Sequence, residues 1–108
     1  YHQNVLEETR PRVWTSPLSA ETAAQMRELM VRVVEAGTGT SAAIAGVQVA
    51  GKTGTAEVDN GEPHAWFAGF APASDPQVVV VALVENAGTG GSVAAPVVKH
   101  VIAAALGL

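Results

Sequence analysis

The chain has 108 residues, a formal net charge of −4 and no cysteine, which excludes a disulfide scaffold, a thiolate metal site and a cysteine nucleophile. Hydrophobic residues make up 48% and charged residues 15%, the balance of a packed globular chain and not of a disordered one. Lys and Arg together number only 6, with no basic run, so nucleic acid is not an expected partner, and no apolar stretch reaches the ~18–20 residues of a membrane span.

The first residue is Tyr1 and not Met, so the chain is read as a piece of something longer. Residues 1–18 carry Pro11 and Pro17 and read as an extended lead-in with at most a short strand. Ser19 is placed as a helix N-cap with Glu21 in the first turn, opening a helix over 19–36. Its apolar stripe is Ala23, Met26, Leu29, Met30, Val33 and Val34, and Gly37 is expected to end it as a left-handed C′ residue. From Val47 the pattern turns to strand, and 47–85 accommodates three antiparallel strands. Asp59-Asn60-Gly61-Glu62-Pro63 and Asp75-Pro76 mark the turns. In His64–Ala71, alternation sets Trp66, Ala68 and Phe70 on one face and Phe67 and Gly69 on the other; Trp66, Phe67 and Phe70 read as core. Val78–Val84 is apolar on both faces, the pattern of a covered central strand, and its outer edge is expected to pair with a strand this chain does not contain. A closing helix spans 93–106, with Pro96 in its first turn. The order helix, three strands, helix predicts an α+β fold, an antiparallel sheet flanked by helices.

Two glycine motifs point elsewhere. Gly46–Thr53 matches G-x-x-x-x-G-K-[ST], the P-loop pattern, but that loop needs a strand before it and a helix straight after Lys-Thr. Here a helix precedes, and Gly54-Thr55-Ala56-Glu57-Val58 leads into a turn, so nucleotide binding is set aside as a remote alternative. Gly37-x-Gly39-x-x-Ala42 brushes the dinucleotide fingerprint but also follows a helix. Gly88-Thr89-Gly90-Gly91 lies between strand and helix, where an anion cradle is conceivable; it is read as a flexible connection.

Lys52-Thr53-Gly54-Thr55-Ala56-Glu57 is the informative stretch. On a strand, Lys52, Gly54 and Ala56 share one face, and Thr53, Thr55 and Glu57 the other. A glycine between threonines admits a close backbone approach, and an edge strand offers main-chain pairing to an extended ligand. Two hydroxyls and an ammonium make a donor-rich patch suited to a carboxylate.

Gly51-Lys52-Thr53-Gly54-Thr55-Ala56-Glu57, followed by His64-Ala65-Trp66-Phe67-Ala68-Gly69-Phe70-Ala71-Pro72, the valine strand and the closing helix, resembles the penicillin-binding proteins, most nearly the class B, monofunctional transpeptidases. The resemblance covers about the last third of their catalytic domain, and takes in the Ser19–Gly39 helix with its Gly-Thr-Gly exit. Three motifs define such sites, Ser-x-x-Lys, Ser-x-Asn and Lys-Thr-Gly, and only the third is here. None of the serines (Ser16, Ser19, Ser41, Ser74, Ser92) begins either of the other two, so no nucleophile is expected in this chain.

The resemblance implies that Lys52 raises the positive potential of the cleft and aids proton movement. It implies that the Thr53 and Thr55 hydroxyls hold the carboxylate of a D-Ala-D-Ala stem peptide or a β-lactam. The Thr55 backbone N–H is then one oxyanion donor, and Gly54 the close-approach residue. No cofactor and no metal are implied. The implied location is the extracytoplasmic face of the bacterial cell membrane, with an anchor outside this sequence and the rest of the transpeptidase domain as a partner segment. A β-lactam sensor domain, a D,D-carboxypeptidase and a serine β-lactamase of the same fold stay open as alternatives. Glu57 and His64 are possible rim residues, His64 with a structural role as the alternative. His2 and His100 lack metal-ligand spacing and read as incidental.

Overall fold

The computed structural model describes residues 4–108; His2 lies outside them, as does the start of the 1–18 lead-in. Residues 4–18 carry no helix or strand, and Val13 and Trp14 are exposed. Helix α1 (Ala20–Ala36) starts where Ser19 Oγ accepts the Thr22 N–H at 3.1 Å, satisfying one of the unpaired amides of the first turn. The buried side of α1 is Val31 and Val34 with Met30 beside them, whereas Met26 and Leu29 are exposed. The expected stripe is therefore split. One side meets the Ala50–Ala73 cluster and the main core, and the other has no cover among the described residues.

Gly37 is not left-handed: its φ is −107° and ψ −149°. Its glycine identity answers to space, since a Cβ there would lie 2.9 Å from Val33 Cα. The N–H groups of Gly37 and Gly39 both donate to the Val33 carbonyl, at 3.1 and 3.0 Å. The chain then tightens into a short 3₁₀ turn over Thr40–Ala42.

Strands β1 (Ala50–Ala56), β2 (His64–Ala71) and β3 (Val78–Val84) form one antiparallel sheet in the order β1-β2-β3. Strand β1 starts later than the expected Val47, because Val47 forms an isolated bridge with Ile44 instead. Lys52 and Thr53 sit in mid-strand and the next element is β2, so the P-loop spelling builds no strand-to-helix phosphate cradle. The turn between β1 and β2 places Gly61 at φ +94°, a conformation glycine adopts at no steric cost.

The register sets Lys52↔Ala68↔Val81 and Gly54↔Trp66↔Leu83 on one face of the sheet and Thr53↔Phe67↔Ala82 on the other. One face carries Phe67, fully buried, against Ala94, Ala95, Val98 and Ile102 of the C-terminal segment. Gly51 and Gly69 pair across the strands beneath the Phe67 ring; a Cβ on Gly51 would stand 2.3 Å from Phe67 Cζ. The other face carries Trp66, Val79, Val81 and Leu83. Trp66 is 41% exposed, which corrects its reading as a core residue: the C-terminal helix covers the opposite side of the sheet. Strand β3 is an edge strand among the described residues, with β2 in the centre, and Val79 is 71% exposed.

The closing segment is two pieces, a π-type turn over Gly90–Ala94 and helix α2 (Ala95–Ala105), with Pro96 in the first turn of α2. No helix among the described residues is long and apolar enough to cross a membrane.

Candidate active site

Strand β1 pairs with β2 along one side only, so it is an edge strand among the described residues. Its inner face lays Thr53 and Thr55 into an open groove of about 500 Å³ lined by Thr38, Ser41, Thr53, Thr55, Thr89, Gly91 and Ser92. Three separate segments supply that lining: the turn after α1, the edge strand, and the loop from β3 to α2. Thr38 Oγ1 lies 2.8 Å from Thr53 Oγ1, and Thr89 Oγ1 lies 2.6 Å from Ser92 Oγ. In the first pair one hydroxyl donates to the other, which leaves the pair one O–H proton to offer a ligand.

The glycines of the 88–91 loop are the correction of most consequence. A Cβ on Gly90 would meet the Trp66 carbonyl oxygen at 2.1 Å and Gly54 O at 2.6 Å, and one on Gly91 would meet Thr38 O at 2.2 Å. This stretch is therefore not a loose connection. It is pressed against the backbone of β1, β2 and the turn after α1, and only glycine permits the approach. Gly54 is the floor under Gly90, and its own Cβ would come within 3.1 Å of Trp66 Cβ.

Lys52 is exposed on the opposite side of the strand from Thr53 and Thr55, and its ammonium donates to the Thr53 carbonyl. Among the described residues the ion pair is Arg32–Glu28 at 3.8 Å, so no carboxylate neutralises Lys52 there. Glu57 is exposed beyond the end of β1 and outside the groove. His64 also lies outside it: its Nδ1 accepts the Asn86 N–H at 3.0 Å. Thr38, Ser41, Thr89 and Ser92 were not singled out by the sequence reading. The signal for two of them was present, since Gly-Thr-Gly occurs at both 37–39 and 88–90.

The groove's lining is hydroxylic and carries no ionisable side chain. Such a surface can hold a small anion by several O–H donors, but it supplies no nucleophile and base within reach of each other. Fold and groove together present an edge strand with a hydroxyl-lined groove on it and a glycine loop laid over its backbone.

The comparisons agree on one family. The sequence matches the penicillin binding protein transpeptidase domain over residues 3–103, and the chain belongs to that family. It is 48% identical over 107 residues to the peptidoglycan D,D-transpeptidase PbpA of Mycolicibacterium smegmatis, covering 91% of this chain and 22% of that protein. Among solved structures, the D,D-transpeptidase domain of a peptidoglycan glycosyltransferase from Eggerthella lenta superposes with a TM-score of 0.76 at 46% identity, covering 83% of this chain and 21% of that one. Penicillin-binding protein A of Mycobacterium tuberculosis, as its imipenem acyl-enzyme complex, gives 0.72 at 48% identity, covering 82% and 20%. The chain thus spans about a fifth of the length of the relatives it matches.

Proposed function

We propose that this chain is the C-terminal part of a serine D,D-transpeptidase domain that cross-links peptidoglycan stem peptides and is acylated by β-lactams. The observation that carries the reading is the threonine groove on the edge strand Lys52–Thr55, in a chain whose relatives are named peptidoglycan D,D-transpeptidases and include a carbapenem acyl-enzyme. The reaction is acyl transfer. A serine from the remainder of the domain attacks the carbonyl of the D-Ala-D-Ala bond, the C–N bond breaks, and D-Ala leaves with the proton its nitrogen needs. The amine of a second stem peptide then takes the acyl group and regenerates the serine hydroxyl. A β-lactam acylates the same serine by opening its ring.

In this reading Thr53 and Thr55 hold the terminal carboxylate, with Thr38 fixing the Thr53 hydroxyl. The Thr55 N–H donates to the oxyanion, a type of contact whose removal costs ~3–4 kcal/mol of transition-state stabilisation. Lys52, on the other side of the strand, adds positive potential, and Gly90 lets the loop close on the strand at the Gly54 backbone. Covalent catalysis by serine needs no metal or organic cofactor. The remainder of the domain is the obligatory partner and covers the exposed valine face of β3. The substrate places the enzyme at the outer face of the bacterial cell membrane, with its anchor outside this segment.

The test is carboxylate recognition in the whole protein, comparing acylation by benzylpenicillin and by its methyl ester. Wild type favours the acid strongly, and Thr53→Val and Thr55→Val erase most of that preference while still reacting slowly with both. Equal preference in wild type and the valine variants would remove the threonines from the site.

A further inference from the structure

We propose that His64 and Asn86 form a positioning pair that holds the 86–92 loop against the threonine groove, a role that rests on the transpeptidase reading. Asn86 is the one non-glycine residue at positive φ among the described residues, at 49°, a conformation asparagine tolerates better than most side chains. That backbone turn points the Asn86 N–H at His64 Nδ1, 3.0 Å away, and lets Asn86 Nδ2 donate to the Glu62 carbonyl at 3.0 Å. The next two amides, of Ala87 and Gly88, both donate to the Pro63 carbonyl, at 3.0 and 3.2 Å. Four hydrogen bonds therefore tie the exit of β3 to residues 62–64 at the entry of β2.

The other end of the loop is fixed by Gly90 and Gly91, pressed on Gly54, Trp66 and Thr38. Between these two anchors lie Thr89 and, just beyond, Ser92, whose hydroxyls line the groove opposite Thr53 and Thr55. The distance across the groove is set by where the loop is held, and His64 is the only side chain in that clip that must accept. Nδ1 accepts, so the ring proton of the neutral imidazole sits on Nε2. His64 pairs with Ala56 across the sheet, two residues beyond Gly54 on the same strand. The clip thus references the loop to the strand that carries the site. His64 touches no groove atom itself and acts through the loop.

The experiment uses the whole protein in four forms: wild type, His64→Ala, His64→Asn and Asn86→Gly. Asparagine at 64 presents an Oδ1 where Nδ1 stood and accepts the same N–H. Backbone hydrogen exchange over 86–90 reads the clip, and the second-order rate constant of acylation by a fluorescent penicillin, normalised to the fraction acylated at saturation, reads the site. His64→Ala is expected to speed exchange about tenfold and to slow acylation per competent site about fivefold, the worth of one net hydrogen bond. His64→Asn restores both to within about twofold, and Asn86→Gly, which keeps the positive φ but loses the bond to Glu62, falls between. Unchanged exchange and acylation in His64→Ala would overturn the proposal. So would loss of acylable fraction with an unchanged rate per site, or failure of His64→Asn to rescue. A wild type that takes up no penicillin overturns the transpeptidase reading instead, and the exchange data still decide whether the clip exists.

Discussion

Gly90 offers the sharpest perturbation, because it is closed in by backbone and not by side chains that could turn aside. In Gly90→Ala the new Cβ would stand 2.1 Å from Trp66 O, 2.6 Å from Gly54 O and 2.9 Å from Gly54 N, whereas carbon makes its best contacts near ~3.5–4 Å. The loop must lift by about 1 Å or the β1–β2 ladder must open, and neither Gly54 nor Trp66 can yield without disturbing the cross-strand pair they form. Overpacking of this kind costs about 1–3 kcal/mol, and the absence of any flexible neighbour puts this site at about 3 kcal/mol or above. A displacement of ~1 Å at a positioning element also slows chemistry on the order of 100-fold. Gly46→Ala is the control. It sits at φ +81° with nothing within 4 Å of the built Cβ, so it carries only the left-handed strain of about 1–2 kcal/mol and leaves the groove alone. The assay is thermal unfolding of the whole protein with acylation by a fluorescent penicillin. Gly90→Ala lowers Tm by several degrees and acylation far more than Gly46→Ala does. A Gly90→Ala protein that melts and reacts like wild type would refute the close packing of this loop on the strand.

Three further outcomes are expected. Thr38→Val removes the 2.8 Å partner of the Thr53 hydroxyl; it changes stability by about 1 kcal/mol or less but slows acylation about fivefold, measured as the second-order rate constant beside Tm. Phe67→Ala empties the space above Gly51 and Gly69 and destabilises by about 3–5 kcal/mol in chemical denaturation. Val81→Lys is expected to act with opposite signs. It keeps the isolated chain monomeric to higher concentration, because Val81 is 58% exposed there and charge blunts an apolar edge. In the whole protein it lowers Tm, as the proposed covering of the valine face by the remainder of the domain requires, and sedimentation of the first with melting of the second checks both signs.

What could be read from the sequence was the local chemistry. Ser19 caps α1 because a hydroxyl one residue before a helical run has a dangling amide to accept, and the alternation of His64–Ala71 separates Phe67 from Trp66 as the pleat requires. Which of those two rings is buried was not legible, since it depends on the side of the sheet taken by α2, a choice made by the chain some thirty residues further on. Glycine misled twice for one reason. Gly37 and Gly90 read as a left-handed stop and a flexible joint, but both are glycine because backbone lies against them, Val33 of the preceding helical turn at Gly37 and the remote Trp66 and Gly54 of the sheet at Gly90. The groove was half legible. Thr53 and Thr55 stand in a motif, while Thr38 and Thr89 reach them only through tertiary packing.

The most direct test of the central claim is the location of the covalent adduct. The whole protein is incubated with benzylpenicillin, its intact mass is recorded, and the adduct is mapped by proteolysis. One penicilloyl group on a serine outside these 108 residues is the predicted result, with the stoichiometry unchanged and the rate reduced in Thr53→Val. An adduct on Ser16, Ser19, Ser41, Ser74 or Ser92, or no adduct at all, would contradict the assignment of Lys52–Thr55 as the substrate-holding strand of a serine transpeptidase.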